Sequence, residues 1–164
     1  MEASLANPTA EDRVLVITRT FAAPRALVWR AFSDPFHLRQ WWGPKGYTNP
    51  VCDLDFRPGG HWHNVMRSPD GEEYPVDSVF LEIVPEERIV YRNAAPRGEV
   101  WGDNPPPSFV RTLTFTEENG RTTLVLRAEF DTAAEKQAAM KRGFAQGTNE
   151  SYDRLAALLA KGGS

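Results

Sequence analysis

Two of the chain's five tryptophans stand side by side in the run Gln40-Trp41-Trp42-Gly43-Pro44-Lys45-Gly46-Tyr47. Adjacent indoles are costly to leave in water, and Gly43-Pro44 ends any helix or strand that would bury both rings by regular packing. The rest of the fold must therefore supply an apolar concavity to shelter them. A chain that builds such a hollow is expected to work through a pocket.

The composition allows one. The chain has 164 residues, 41% hydrophobic and 25% charged, the make-up of one ordinary domain. At this length about 70% of the unfolded surface is buried on folding, enough for a core without disulfides or metals. The single cysteine, Cys52, has no internal disulfide partner. It reads as a small buried residue in a reducing, cytoplasmic setting. The net charge of −3 comes from 19 basic and 22 acidic residues that interleave along the chain. No basic cluster is present to grip phosphates, so nucleic acid is not expected as a partner. No segment approaches the roughly 18 continuous apolar residues of a membrane span, and residues 1–10 lack the apolar stretch of a signal peptide, so no membrane is expected either.

Residues 1–12 read as a flexible tail and 13–160 as a single domain. Val14 to Phe21 is rich in β-branched residues and predicts a strand. Pro24 suits a first helical turn, and Leu27, Val28, Ala31 and Phe32 recur at helical spacing. Ser33-Asp34-Pro35 then predicts a cap and a second short helix to about Gln40. Strands follow at Val51 to Phe56, His61 to Arg67, Glu73 to Val84, Arg88 to Asn93, Phe109 to Thr116 and Thr122 to Phe130. Ser68-Pro69-Asp70-Gly71 and Asn119-Gly120 are the strongest turn signals between them. Residues 94–108, with Trp101 in the middle, read as a loop that is either a lid over the pocket or a passive connection. One long helix is predicted from about Ala133 to Ala160, its inward stripe running Met140, Phe144, Thr148, Tyr152, Leu155 and Leu159. Gly147, Thr148 and Ser151 make the middle of that helix small, which leaves unfilled space against the sheet. The fold class is α+β: a helix-grip, with a curved antiparallel sheet of about six to seven strands around a long C-terminal helix and two short helices after the first strand.

Three sets of residues carry candidate chemistry. His61 and His63, two apart on a strand, share one face as metal ligands would. The third histidine, His37, stands alone, and alternation turns Trp62, Asn64 and Met66 inward instead, so no metal site is expected. Asn64, Asp77, Tyr91, Arg111 and Tyr152 are polar residues on elements bordering the pocket, but no nucleophile, base and orienter come as a set. No catalytic residue is assigned. The third set is apolar: Phe32, Leu38, Trp41, Trp42, Trp62, Met66, Tyr91, Trp101, Phe109, Phe115, Met140 and Phe144 supply walls. With Asn64, Thr148 and Tyr152 as polar anchors they form the candidate ligand-binding set.

Several motifs together carry a family resemblance. Trp41-Trp42-Gly43-Pro44-Lys45-Gly46-Tyr47, Asp55-Phe56-Arg57-Pro58-Gly59-Gly60, Pro69-Asp70-Gly71-Glu72-Glu73-Tyr74-Pro75 and Glu82-Ile83-Val84-Pro85-Glu86-Glu87-Arg88-Ile89-Val90-Tyr91 occur in order. They resemble the Hsp90-ATPase-activator-homologue (AHSA1-like) proteins of the START-like, Bet v 1-like superfamily, over about residues 13 to 160. The resemblance implies a curved sheet around a C-terminal helix with a hydrophobic cavity between them. It leaves three functions open: binding of a small hydrophobic or amphipathic molecule, a co-chaperone-type protein-interaction module, and a cyclase-like enzyme. No cofactor is implied. The partners implied are a small hydrophobic ligand or a chaperone, with the chain a monomer or homodimer. Family members often carry tryptophan after the helix glycine, here Gly147. Thr148 stands there instead, implying a larger or more polar cavity.

Overall fold

From Thr122 to Phe130 the chain alternates residue by residue, with Thr122, Leu124, Leu126, Ala128 and Phe130 buried and their neighbours not. A period of two puts every second side chain on one face, so this stretch is a strand with one face in the core. The computed structural model describes residues 10–93 and 109–161, and this strand lies second from one edge of its seven-stranded sheet. Residues 94–108, read as a lid or a passive connection with Trp101 in the middle, lie outside the described residues.

The elements are β1 (Val14–Phe21), α1 (Arg25–Ser33), α2 (Pro35–Trp41), β2 (Thr48–Leu54), β3 (His61–Arg67), β4 (Glu73–Val84), β5 (Arg88–Asn93), β6 (Phe109–Glu118), β7 (Arg121–Phe130), α3 (Ala133–Lys141) and α4 (Phe144–Ala160). Ala10–Arg13 forms a 3-10 turn ahead of β1. Residues 10–12, expected in the tail, therefore belong to an ordered turn, and Arg13 Nη1 donates to Glu129 Oε2 at 2.9 Å.

Seven strands form one antiparallel sheet in the order β1-β7-β6-β5-β4-β3-β2. The run from β2 to β7 is a meander, and β1 pairs along the free edge of β7. Asn119 (φ 56°) and Gly120 (φ 77°) both occupy the left-handed region, as the two-residue turn between β6 and β7 requires. The register shifts between Thr48 and Val51 and again between Phe80 and Glu82. Such irregularities bend a strand and raise its twist, which curves the sheet towards the helices. Asp34 caps α2, its Oδ1 accepting from Phe36 N at 2.9 Å, and Pro35 follows at the first helical position.

The C-terminal helix differs from expectation: it is two helices, not one. Gly143 takes φ 89° and ψ 27°, a left-handed conformation that interrupts the helical hydrogen-bond ladder. Helix α4 alone carries the buried stripe Ser151, Tyr152, Leu155, Leu158 and Leu159. Met140, read as inward, lies on α3 and is 39% exposed. The main core of Phe21, Val28, Leu38, Trp41, Phe115, Leu124 and Leu155 fills the space between the sheet and helices α1, α2 and α4. Among the described residues no helix is long and apolar enough to cross a membrane.

Candidate functional site

The inner face of the sheet and the N-terminal half of α4 enclose a cavity of about 330 Å³, within the range of small-molecule sites. Alternation along each strand decides which side chains reach it. Strand β3 presents Trp62, Asn64 and Met66, β4 presents Val76 and Ser78, β5 presents Tyr91 and Asn93, β6 presents Phe109 and Arg111, and β7 presents Leu126. The opposite wall comes from Phe32 of α1, the turn Trp42-Gly43-Pro44, Ala139, Arg142 and Gly143 around the helix break, and Phe144, Gly147, Thr148, Ser151 and Tyr152 of α4.

Ten of the candidate residues thus stand on one wall or the other: Phe32, Trp42, Trp62, Asn64, Met66, Tyr91, Phe109, Phe144, Thr148 and Tyr152. Leu38, Trp41 and Phe115 do not; each is at most 1% exposed and sits in the core beneath the cavity. Trp41 Nε1 donates to Ala31 O at 3.0 Å, and its ring packs edge-on against Phe32 at 4.8 Å. Phe115 is enclosed by Phe32 and Trp29, with ring centroids at 5.4 Å and 5.2 Å. Met140 points to solvent and Trp101 is outside the described residues. Asp77 faces away from the cavity on the other side of β4 and pairs with His63, Nδ1 to Oδ1 2.5 Å. Among the described residues no three His, Cys, Asp or Glu side chains converge as a metal site requires.

The paired tryptophans are divided between core and cavity. Trp42 meets Trp62 edge-on at 4.7 Å on the cavity wall. The turn after it is held from two sides. Gly43 N donates to Ser151 Oγ at 3.0 Å, and Arg154 Nη1 donates to the carbonyls of Trp42, Gly43 and Pro44 at 3.1, 3.0 and 3.0 Å. On the sheet side, Asn49 Nδ2 donates to Arg39 O at 3.0 Å and Trp42 O at 2.9 Å. Its Oδ1 accepts from Asn64 Nδ2 at 2.9 Å. Because Asn49 must turn its amide nitrogen to two carbonyls, Asn64 must present its own nitrogen to Asn49.

One cluster of groups on the cavity wall is polar. Tyr91 and Arg111 are directly opposed across β5 and β6. Arg111 Nη1 donates to Asn93 Oδ1 at 2.9 Å, and its guanidinium carbon lies 4.3, 5.3 and 5.7 Å from the ring centroids of Phe109, Tyr91 and Phe144. Rings at this distance stabilise a cation through their quadrupoles. Burial raises the pKa of the Tyr91 hydroxyl, with the Arg111 charge opposing. Burial also raises that of Tyr152, Tyr91 adding to the effect and Arg111 opposing it. Both phenols stay protonated at neutral pH, so each carries a hydroxyl proton to donate, and Tyr91 also accepts from Arg111. Cys52 is half-buried, and burial pushes its thiol up to about 11, which makes it a poor nucleophile.

Several wall residues were missed by sequence reasoning. Ser78 and Asn93 share inward parity with Phe80 and Tyr91, so alternation alone identifies them. Arg111 had been weighed only as a polar neighbour, and Arg142 carried no signal until the helix break was visible. Nothing in the sequence marks Arg154, whose role depends on the turn meeting α4.

The sequence profile of the family described as Activator of Hsp90 ATPase homolog 1-like protein matches residues 22–160. Among solved structures, a protein of Nitrosomonas europaea is similar at 27% identity and a TM-score of 0.81, covering 92% of this chain and 96% of that one. The AHSA1 protein of Silicibacter pomeroyi is similar at 26% identity and a TM-score of 0.72, covering 90% and 97%. A protein of Rhizobium leguminosarum is similar at 30% identity and a TM-score of 0.66, covering 90% and 94%. No curated protein matches the chain significantly. These neighbours share the START-like, Bet v 1-like helix-grip fold.

Proposed function

The chain belongs to the activator of Hsp90 ATPase homolog 1-like family, and within that family we propose that it works as a binder of a small amphipathic molecule held between the sheet and α4. The observation that carries this reading is the mixed lining of the cavity, aromatic walls with one cluster of polar groups among them. Phe32, Trp42, Trp62, Met66, Phe109 and Phe144 make apolar walls, and Tyr91, Asn93 and Arg111 form a polar cluster that Tyr152 faces from α4. Pockets that bind small molecules combine apolar walls with a few polar groups that fix orientation.

The same lining favours binding over turnover. General acid–base catalysis needs a group whose pKa lies near the working pH. Among the described lining residues there is no Asp, Glu or His, and the two phenols are shifted away from neutrality. The co-chaperone reading, which the family name suggests, places function on the outer surface. The exposed large apolar residues Val16, Phe36, Leu81 and Met140 stand on four different elements, β1, α2, β4 and α3.

Thermal-shift and native mass-spectrometry measurements with a panel of apolar and amphipathic small molecules test the proposal. A ligand at about 100 times its Kd stabilises the folded state by about 2.7 kcal/mol. The Thr148→Trp variant puts an indole into the cavity and is expected to lose that stabilisation. A panel that never shifts the protein, or a T148W variant that binds as well as the original, would show that the cavity is not the site.

A further inference from the structure

We propose that the molecule held in the cavity carries a carboxylate, seated on Arg111 in the polar cluster with its apolar remainder against Trp42, Trp62 and Met66. This rests on the binding reading above and specifies the ligand class.

The charge on the walls points there first. Arg111 and Arg142 line the cavity, and no Asp or Glu among the described residues does. Arg111 is also out of keeping with its strand. The other inward positions of β6 are Phe109, Leu113 and Phe115, each at most 2% exposed, so a guanidinium occupies a row that otherwise belongs to the core. Setting a cation there is costly unless it is compensated. Among the described residues its compensation is one amide oxygen, Asn93 Oδ1, the Tyr91 hydroxyl and three ring faces; no carboxylate meets it. A guanidinium offers five N–H donors in a planar fork that matches a carboxylate, and the bonds to Asn93 and to the Tyr91 hydroxyl leave donors of that fork for a ligand.

The surroundings complete an anion seat. Tyr91 lies directly across from Arg111, and Tyr152 faces the same cavity from α4; both phenols are donors. Helix α4 begins at the cavity, where Gly143, Phe144 and Gly147 are on the wall, and Gly143 contributes no side-chain cap. The positive end of a 17-residue helix dipole therefore adds to the same field. Arg142 is exposed at the rim, so Arg111 is the single inner cation, and with neutral donors around it this suits a monoanion better than a doubly charged phosphate. The aromatic walls suit an aryl or medium-chain tail.

Calorimetric titration with two matched pairs tests this: octanoate against octanamide, and 2-naphthylacetate against 2-naphthylacetamide. Each acid is expected to bind about tenfold or more tighter than its amide, the range for a hydrogen bond to a charged group. Arg111→Gln should bring each acid to within about threefold of its amide in the same variant, with the circular-dichroism spectrum and thermal midpoint of the variant showing that it is folded. Arg111→Lys should fall between, keeping charge and losing the fork. Acids and amides that bind the wild type equally, or an acid preference that survives R111Q, overturn the carboxylate seat and leave the binding reading standing. If neither acids nor amides bind, both fall together. The wild-type comparison decides even where a variant does not fold.

Discussion

At the scale of single residues, the two neighbouring tryptophans separate because a helix ends between them. Trp41 is the last residue of α2, and Trp42 is its extended C-cap at φ −63° and ψ 139°. The change of backbone direction sends one ring into the core and the other to the cavity. Both are tryptophan, so residue type carries no hint of the division; only the cap position does. The turn they begin depends on Arg154, which reaches the carbonyls of Trp42, Gly43 and Pro44. Hydrogen bonds from a charged donor are worth about 1.5–3 kcal/mol, and the half-buried site keeps water from replacing all of them. Arg154→Met should therefore lower unfolding free energy in urea by about 1–3 kcal/mol. Arg154→Lys, with no fork to span three carbonyls, should recover only part. A wild-type midpoint in R154M would show that the turn holds without it.

At the scale of elements, the strands were legible because alternation and turn residues agree, as in β7 with its Asn119-Gly120 turn. The C-terminal helix was not, because its apolar stripe continues across the break. A glycine inside a helical pattern is ordinarily tolerated, and only the conformation of Gly143 shows that this one is not passed through. Two glycines a turn apart are therefore expected to respond oppositely. Gly143 has φ +89°, where an added Cβ is strained whatever the space around it. Gly143→Ala should cost about 1–2 kcal/mol. Gly147 sits inside α4, and a Cβ there would meet Pro44 Cγ at 3.7 Å, an ordinary contact. Gly147→Ala should gain about 0.5–1 kcal/mol from helix propensity. Denaturant curves of the two variants, read against wild type, check the contrast; equal shifts would mean that the helix break is not where stability is decided.

At the scale of the whole molecule, the order of elements led to the meander and to a sheet that grips one helix. What the order could not supply was the boundary between core and cavity. Leu38, Phe115 and Trp41 have the same hydrophobic character as Phe32, Phe109 and Trp42, yet the first three fill the core and the second three line the space above it. That boundary follows from how far α1 and α4 stand off the sheet, a distance no local pattern encodes. Arg111 was underweighted for a different reason: its parity with Phe109, Leu113 and Phe115 turns it inward, but polar strand residues usually face water, and that expectation outweighed the alternation.

A small molecule is proposed to occupy the space between sheet and α4. A proton–nitrogen correlation spectrum of the indole groups, followed while 2-naphthylacetate and its amide are titrated in, tests it most directly. Trp42 and Trp62 lie on the wall, whereas Trp29 packs beneath it against Phe56 and Phe115. The Trp42 and Trp62 signals should move with ligand while that of Trp29 stays. Signals of Trp42 and Trp62 that remain fixed while the ligand binds, or that move no more than Trp29, would contradict it.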